Sequence, residues 1–236
     1  MKRGLLVLAL MGLLVTPAMA GLAATPFAGQ VNLATYNAQT GVLTMGQSNP
    51  RGVPIYADLT TVGSYLNQGT SSTYPLPVGD DIHATGGGTV TSFVVGYYIP
   101  TSSGTGPFTV SYSFWGGTPT DTGPFPGYGA PFLGGYNVGG LNPGAWAVNI
   151  TGVSVPVGAD FYIEQDFAGN GILNGGPLIT GNSGGTVGYS NSYFTQTGSL
   201  WTLSIWADFY HSVSIPEPAT LALFGMGVLV LVRRRR

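Results

Sequence analysis

Carboxylate side chains recur in one short segment of this sequence at a spacing that could bind calcium. Asp160, Glu164 and Asp166 lie an even number of residues apart, so on a β-strand they share one face. Carboxylate and amide oxygens are the ligands that Ca²⁺ prefers, and Asn170 could add one from the turn that follows. The alternative is an acidic face in contact with water. The pair Asp80–Asp81 is a second calcium candidate, and no other cofactor is expected.

A serine in a glycine-rich turn could act as a nucleophile. The string at 181–185, Gly-Asn-Ser-Gly-Gly, resembles the sequence around the nucleophile of trypsin-like serine proteases. That chemistry needs a histidine base beside Ser183 and a carboxylate behind the histidine. His83 lacks the family's context, and Asp208 and His211, three residues apart, would lie on opposite faces of a strand. An ordinary turn is therefore favoured, and a secreted hydrolase is a distant alternative.

Aromatic side chains with polar neighbours could bind a carbohydrate. Trp206 and Tyr210 flank Asp208 at two-residue steps on the polar face of a predicted strand, and Trp115 ends another strand. Tyrosine and tryptophan offer an apolar ring with a polar tip, which suits sugar rings. The alternative is that, in a β-sandwich, loops cover these aromatic rings.

The composition excludes several classes of protein. Only 7% of the 236 residues are charged, against about 25% in a typical soluble domain. The aromatic content of 12% argues against disorder despite 39 glycines and 17 prolines. Residues 21–215 contain eight acidic residues and one basic residue, Arg51, so binding to nucleic acid is not expected. The absence of cysteine excludes disulfides and thiol catalysis.

The hydrophobic periodicity of residues 21–213 is mostly two, which predicts strands. Apolar and polar side chains alternate from Phe108 to Phe114, from Asp160 to Phe167 and from Trp201 to Tyr210. The ranges 88–98 and 144–153 are rich in strand-forming residues, and 30–35, 53–58 and 186–194 are weaker candidates.

These strands and their turns predict an all-β body, an antiparallel β-sandwich of jelly-roll type. The turn at 102–106 is expected to join two strands as a hairpin, and Asp58 to Asn67 could form a short helix. Residues 116–144 carry glycine or proline at nearly every second or third position, so a long Gly/Pro/aromatic loop is expected there.

The N-terminus has the layout of a secretory signal peptide. Lys2 and Arg3 precede an apolar run, and Ala18 and Ala20 occupy the positions that a signal peptidase checks. Residues 1–20 are therefore predicted to pass through the Sec translocon and to be removed after Ala20. An uncleaved anchor is the alternative.

The C-terminus combines three features in a fixed order. Pro216, Glu217 and Pro218 precede fourteen uncharged residues at 219–232, and four arginines follow at 233–236. Fourteen helical residues rise about 21 Å, barely enough to span the hydrocarbon core of a membrane. The arginines would hold this end in the cytoplasm, so a short transmembrane helix is predicted with the body outside.

Residues 214–236 closely resemble the PEP-CTERM sorting signal of Gram-negative bacteria. The resemblance implies export, transient anchoring in the inner membrane, and cleavage by an exosortase that recognises Pro216, Glu217 and Pro218. It also implies a setting of exopolysaccharide and biofilm. An ordinary anchor that is never cut is the alternative.

Together these patterns favour a non-enzymatic protein of the cell surface or extracellular matrix, structural or adhesive in a biofilm. The alternative is a module that binds the organism's own exopolysaccharide. Sequence features identify no ligand for either function.

Overall fold

The computed structural model describes residues 24–27, 29–46, 52–59, 61–67, 77–117, 125–126, 129–167, 172, 174–181, 187–190, 193–197, 200–204 and 207–216. Within these ranges the chain forms strands and one 3₁₀ turn, Thr101–Ser103, and no helix there is long and apolar enough to cross a bilayer. The predicted signal peptide (1–20) and transmembrane helix (219–232) lie outside the described residues.

Eighteen strands are present in the described residues: β1 (Ala24–Pro26), β2 (Asn32–Asn37), β3 (Val42–Met45), β4 (Val53–Asp58), β5 (Thr61–Leu66), β6 (Val78–His83), β7 (Gly88–Ile99), β8 (Phe108–Gly116), β9 (Phe125–Pro126), β10 (Gly129–Ala130), β11 (Phe132–Leu141), β12 (Gly144–Val157), β13 (Asp160–Asp166), β14 (Gly176–Gly181), β15 (Tyr193–Thr197), β16 (Leu200–Ser204), β17 (Ala207–Phe209) and β18 (His211–Ile215). The all-β prediction is confirmed.

The strands form two large sheets. The first sheet follows the order β1-β5-β14-β7-β12-β2-β3, with β17 paired to β14 and β18 lying between β4 and β7. The second sheet follows the order β11-β8-β13-β6-β15-β16, and β9 and β10 form a separate pair.

The main core lies between the sheets and follows the predicted alternation. In β8 the side chains of Phe108, Val110, Tyr112 and Phe114 are buried, while the intervening polar residues are partly exposed. The ring of Phe93 in the first sheet meets that of Phe114 in the second edge to face, with centroids 5.1 Å apart. One face of each sheet is therefore dry, as in a sandwich.

Two expectations about strand pairing were wrong. The sheets are not wholly antiparallel, because β2 pairs in parallel with β12, from Asn32 opposite Trp146 to Asn37 opposite Thr151. More than a hundred residues separate the two strands, which leaves room for the crossover that parallel pairing needs. The turn at 102–106 is not a hairpin, since β7 and β8 belong to different sheets and the segment crosses between them.

The short helix expected from Asp58 to Asn67 is also wrong. Residues 61–66 form β5, which pairs with β1 and with β14. Gly63 has a φ of +75°, a left-handed conformation that an α-helix does not contain. Pairing on both sides therefore prevails over the local helical pattern.

The loop expected over residues 116–144 is wrong in its C-terminal part. Phe132–Leu141 forms β11, which pairs with β8 through two irregularities in register. Gly140 has a φ of +74° at the second irregularity, where a residue with a side chain would be strained. The glycines that suggested a loop instead allow bulges within a strand.

Candidate functional site

Four aspartates are buried within the described residues of this acidic body. Asp58, Asp80, Asp81 and Asp208 are each at most 3% exposed, and His211 is fully buried. We call these five residues the acidic cluster. Sequence analysis considered Asp80 and Asp81 as calcium ligands, and Asp208 as a carbohydrate contact and as an improbable partner of His211, and it missed Asp58.

Strand register brings the members of the acidic cluster together. Asp58 ends β4 and lies directly opposite His211 at the start of β18. Thr180 of β14 lies opposite Asp208 of β17, and its hydroxyl donates a 2.6 Å hydrogen bond to Asp58 Oδ2. Asp80 comes from β6 in the second sheet, so the cluster joins both sheets.

A continuous line of polar contacts connects the acidic cluster to the surface. Gln165 Nε2 lies 2.8 Å from His211 Nε2, and His211 Nδ1 lies 3.2 Å from Asp80 Oδ2. The Ser190 hydroxyl lies 2.7 Å from Asp80 Oδ1 and 2.8 Å from Asp81 Oδ1. With the Gln165 amide donating to Nε2, the proton of a neutral His211 is on Nδ1, facing Asp80.

The line ends at His83, which is partly exposed. Its Nε2 lies 3.7 Å from Asp81 Oδ2, and its Nδ1 lies 2.8 Å from Asp160 Oδ1. The ring of Tyr189 stacks on His83 with centroids 4.4 Å apart. Polar groups therefore run across the second sheet from its inner face to its rim.

Protons, rather than basic side chains, balance the charge of the acidic cluster. Ser190 has one hydroxyl hydrogen but two carboxylate oxygens within hydrogen-bond distance, so one of those carboxyl groups must supply a proton. Burial, with a further contribution from the charge of Asp81, raises the pKa of Asp80 well above its usual value. Asp80 is therefore the group that holds the proton.

Asp208 and His211 are also neutral near pH 7. Burial, with a further contribution from Asp80, raises the pKa of Asp208 to about 8, although the nearby Ser190 hydroxyl opposes the rise. Burial lowers the pKa of His211 to about 3, and Asp58 opposes that fall.

Several buried polar atoms near the acidic cluster have no hydrogen-bond partner among the described residues. They are Asp80 Oδ2, His211 Nδ1, both carboxylate oxygens of Asp208, the Tyr56 hydroxyl and Gln165 Oε1, because the 3.2 Å approach of His211 Nδ1 to Asp80 Oδ2 is not aligned as a hydrogen bond. Each such group costs about 1–3 kcal/mol of stability. Gln165 occupies a core position of β13 between Ile163 and Phe167, and a polar residue at such a position is the sequence signal that could have revealed the cluster.

The predicted carbohydrate face on the last strands does not form as expected. Asp208 is only 1% exposed, and Tyr210 is partly buried against a small cluster formed by Tyr65, Ala145 and Leu178. The predicted strand from Trp201 to Tyr210 contains β16, which belongs to the second sheet, and β17, which pairs with β14 of the first sheet, and a bend follows at Tyr210. The same bend places Asp208 and His211 in one cluster, contrary to expectation. Trp206 lies outside the described residues.

Trp115 lies in a different aromatic group, on the outer face of the second sheet. It is opposite Phe132 on one neighbouring strand and opposite Tyr162 on the other. The rings of Trp115 and Phe132 meet edge to face at 5.2 Å, and Phe132 is 58% exposed. Sequence analysis missed Phe132 because it was placed in a loop.

The three calcium candidates of β13 have different surroundings. Asp160 contacts His83, while burial, with a further contribution from Asp166, raises the pKa of Glu164 to about 7. Within the described part of the chain, no three His, Asp or Glu side chains are arranged to hold a metal ion. Calcium binding stays a prediction, and Asn170 lies outside the described residues.

The described chain ends at the start of the predicted processing motif. β18 ends at Ile215, and Pro216 follows as an exposed residue outside the sheet. Glu217 and Pro218, the signal-peptidase residues Ala18 and Ala20, and the candidate nucleophile Ser183 lie outside the described residues.

Comparison with known proteins identifies a sorting motif at the C-terminal end of the chain. The model of the PEP-CTERM protein-sorting motif matches residues 214–236. No curated protein and no solved structure matches the chain. The motif supports an exported protein with a C-terminal membrane anchor, and it implies processing by an exosortase.

Proposed function

We propose, from the premise that this chain carries a PEP-CTERM sorting signal, that it is a non-enzymatic protein of the cell surface or extracellular matrix. The Sec translocon would export it, signal peptidase would remove residues 1–20, and the C-terminal segment would hold it briefly in the inner membrane. An exosortase would then cut near Pro216 and release it into a matrix of exopolysaccharide. Its role there is structural or adhesive.

One observation carries this proposal. The last described strand ends at Ile215, and the first residue of the processing motif, Pro216, is exposed directly after it. A processing enzyme needs an accessible, extended peptide, and the residue before a proline favours an extended conformation. The last described strand therefore ends directly before the Pro-Glu-Pro motif.

The non-enzymatic role is supported by the state of the two histidines. His211 is fully buried and therefore cannot contact a substrate. His83 is engaged by Asp160 and covered on one ring face by Tyr189. Ser190 is also buried, with its hydroxyl on two carboxylates rather than on a histidine.

Intact-mass analysis in a host that contains an exosortase tests the sorting role. We expect surface-localised protein without residues 1–20 and with a new C-terminus near Pro216. Replacing both Pro216 and Pro218 by alanine should block this maturation, whereas Pro156→Ala, at an exposed proline of β12, should not. Mature protein that retains Arg236 would refute the proposal.

A second candidate function, binding of exopolysaccharide, is favoured by the exposed ring of Phe132 beside Trp115. Polar side chains surround the pair, since Ser113 and Glu164 lie opposite each other on the adjacent rung of the same face. An exposed aromatic ring with polar neighbours is a suitable surface for a sugar ring.

Binding to purified exopolysaccharide of the producing organism tests this second candidate. Phe132→Ala and Trp115→Ala should each weaken affinity roughly tenfold, a typical loss for an aromatic anchor. Tyr189→Ala is the matched control, because Tyr189 is also an exposed ring but lies beside His83. Lack of saturable binding by the unaltered protein would leave only the structural role.

A further inference from the structure

The last strand of the body leads into the processing motif without a linker. β18 pairs with β4 on one side and with β7 on the other, so it lies inside the first sheet rather than at its edge. Its residues from His211 to Ser214 are buried. Residues of β18 are therefore not available to extend into the active site of a neighbouring enzyme.

Ile215 is the last fixed point of the body. It pairs with Val53 and packs against the main core. Its surroundings are tight, because a Cβ atom on Gly52 would collide with the carbonyl oxygen of Ile215. A Cβ atom on Gly88 would lie 3.2 Å from Ile215 Cγ2.

The distance from this fixed point to the membrane segment is short. Three residues, Pro216 to Pro218, separate Ile215 from Ala219, where the uncharged run begins. Even a fully extended chain spans only about 14 Å over the four Cα-to-Cα steps from Ile215 to Ala219. A folded body of this length has a radius of gyration of about 16 Å, so the body must lie against whatever surrounds the cleavage site.

The described residues that adjoin Ile215 include several with small, uncharged side chains. We call this surface the exit pole and define it as Gly52, Val53, Gly87, Gly88 and Gly158. Val53 is 41% exposed, and Gly87, Gly88 and Gly158 are also exposed. The absence of large side chains at these positions permits close approach by another surface.

We propose that the exit pole docks on the exosortase while the motif is cut, so that the enzyme contacts the folded body as well as the tail. This inference rests on the proposed function. It deepens that function by adding a protein surface to a signal otherwise confined to residues 214–236.

Substitutions at the exit pole test the docking. Val53→Glu adds a charge to an exposed position, and Gly158→Trp adds bulk where a Cβ atom meets nothing closer than 3.6 Å. We expect each full-length variant to be cut roughly tenfold more slowly, equivalent to about 1.4 kcal/mol of lost contact. Val42→Glu, on the exposed edge strand β3, and Ser102→Trp, on an exposed turn, are matched controls that should be cut at the normal rate.

A linker provides the second test. Twelve glycine and serine residues inserted between Ile215 and Pro216 would span about 19 Å on average. The linker should slow cleavage as much as the exit-pole variants, and those variants should then have no further effect. Normal cleavage of both linker and pole variants would show that the enzyme reads the tail alone. Failure of the unaltered chain to be cut would instead refute the proposed function.

Labelling distinguishes the enzyme from the lipid surface as the occupant of the pole. The chain contains no cysteine, so Val53→Cys introduces a unique thiol, with Val42→Cys as its control. In membranes, Cys at position 53 should be protected from maleimide only when an inactive exosortase is present. Protection without the enzyme would mean that the pole rests on lipid headgroups, and it would overturn the proposal.

Discussion

The aromatic core around Phe114 and the acidic cluster around Asp80 are equally dry but are held together differently. Phe114 is fully buried and touches Phe93 and Phe161 across ordinary ring distances. Asp80 is also fully buried, yet it depends on Ser190, on His211 and on a bound proton. The packing of the aromatic core does not depend on pH, whereas the stability of the acidic cluster depends on the protonation of its carboxyl groups.

The largest effect is expected from breaking the aromatic region. Phe114→Ala removes a ring that contacts both sheets and should lower the free energy of unfolding by about 3–5 kcal/mol. Urea unfolding followed by fluorescence measures the change. Phe132→Ala, which removes an exposed ring, should alter it by no more than about 0.5 kcal/mol.

The next effect is a dependence of stability on pH that comes from the acidic cluster. Asp208 has a pKa of about 8 in the fold and 3.8 as its ordinary value, so stability falls as pH rises from about 4 to about 8. Glu164, with a pKa of about 7, adds to this fall. His211 acts in the opposite sense, because its lowered pKa removes stability as pH falls from 6.5 towards 3.

We therefore expect the free energy of unfolding to be greatest at about pH 4–5 and to fall by at least about 2 kcal/mol by pH 8. Thermal unfolding measured in buffers from pH 3 to pH 9 tests this profile. A maximum between pH 7 and pH 8 would contradict the protonated state assigned to the cluster.

A smaller effect separates the charge of Asp208 from its shape. Asp208→Asn keeps the volume but removes the cost of keeping a buried carboxyl group protonated at a pH where the unfolded chain ionises it, so it should stabilise the protein by about 1–3 kcal/mol at pH 8 and by less at pH 4. Asp166→Asn, on the outer face of β13, is the control and should have a smaller effect, because the charge of Asp166 is only a secondary contribution to the raised pKa of Glu164. Destabilisation by Asp208→Asn at pH 8 would mean that the carboxylate itself is required.

The smallest effect concerns calcium. Weak binding of Ca²⁺ to the carboxylates of β13 would move the melting temperature by less than about 1 °C at millimolar concentration, equivalent to a few tenths of a kcal/mol. A larger rise that Glu164→Gln abolishes would establish the calcium site predicted on β13. A larger rise that Asp208→Asn abolishes would place the cation in the acidic cluster.

The sequence predicted best where alternation is uninterrupted. β8 follows its predicted faces because each residue pair places one apolar side chain inward. β13 follows them except that Gln165 occupies an inward position and Tyr162, on the predicted polar face, is also buried. The pattern failed where long-range pairing prevails over local preference. β5 forms because β1 and β14 flank it, and β11 forms because β8 accommodates its bulged glycines.

The acidic cluster could not be predicted from periodicity, since its members come from four different strands. Asp58, Asp80, Asp81, Asp208 and His211 meet only after both sheets assemble. The bend at Tyr210 was decisive and left no signal in the alternation of apolar residues.

The sorting motif could be predicted in full because it is a contiguous string that needs no fold.

The position of β18 determines how the body responds to force while its tail is anchored. Tension from the membrane enters at Ile215 and runs along the strand axis, and ladders to β4 and β7 flank that axis on both sides. Hydrogen bonds in antiparallel ladders are perpendicular to the strands, so such a load shears many of them together instead of opening them one by one. An edge strand in the same place, paired on one side only, would have fewer hydrogen bonds to resist the load. A pull on the anchored tail would thus be shared between the two ladders that flank β18.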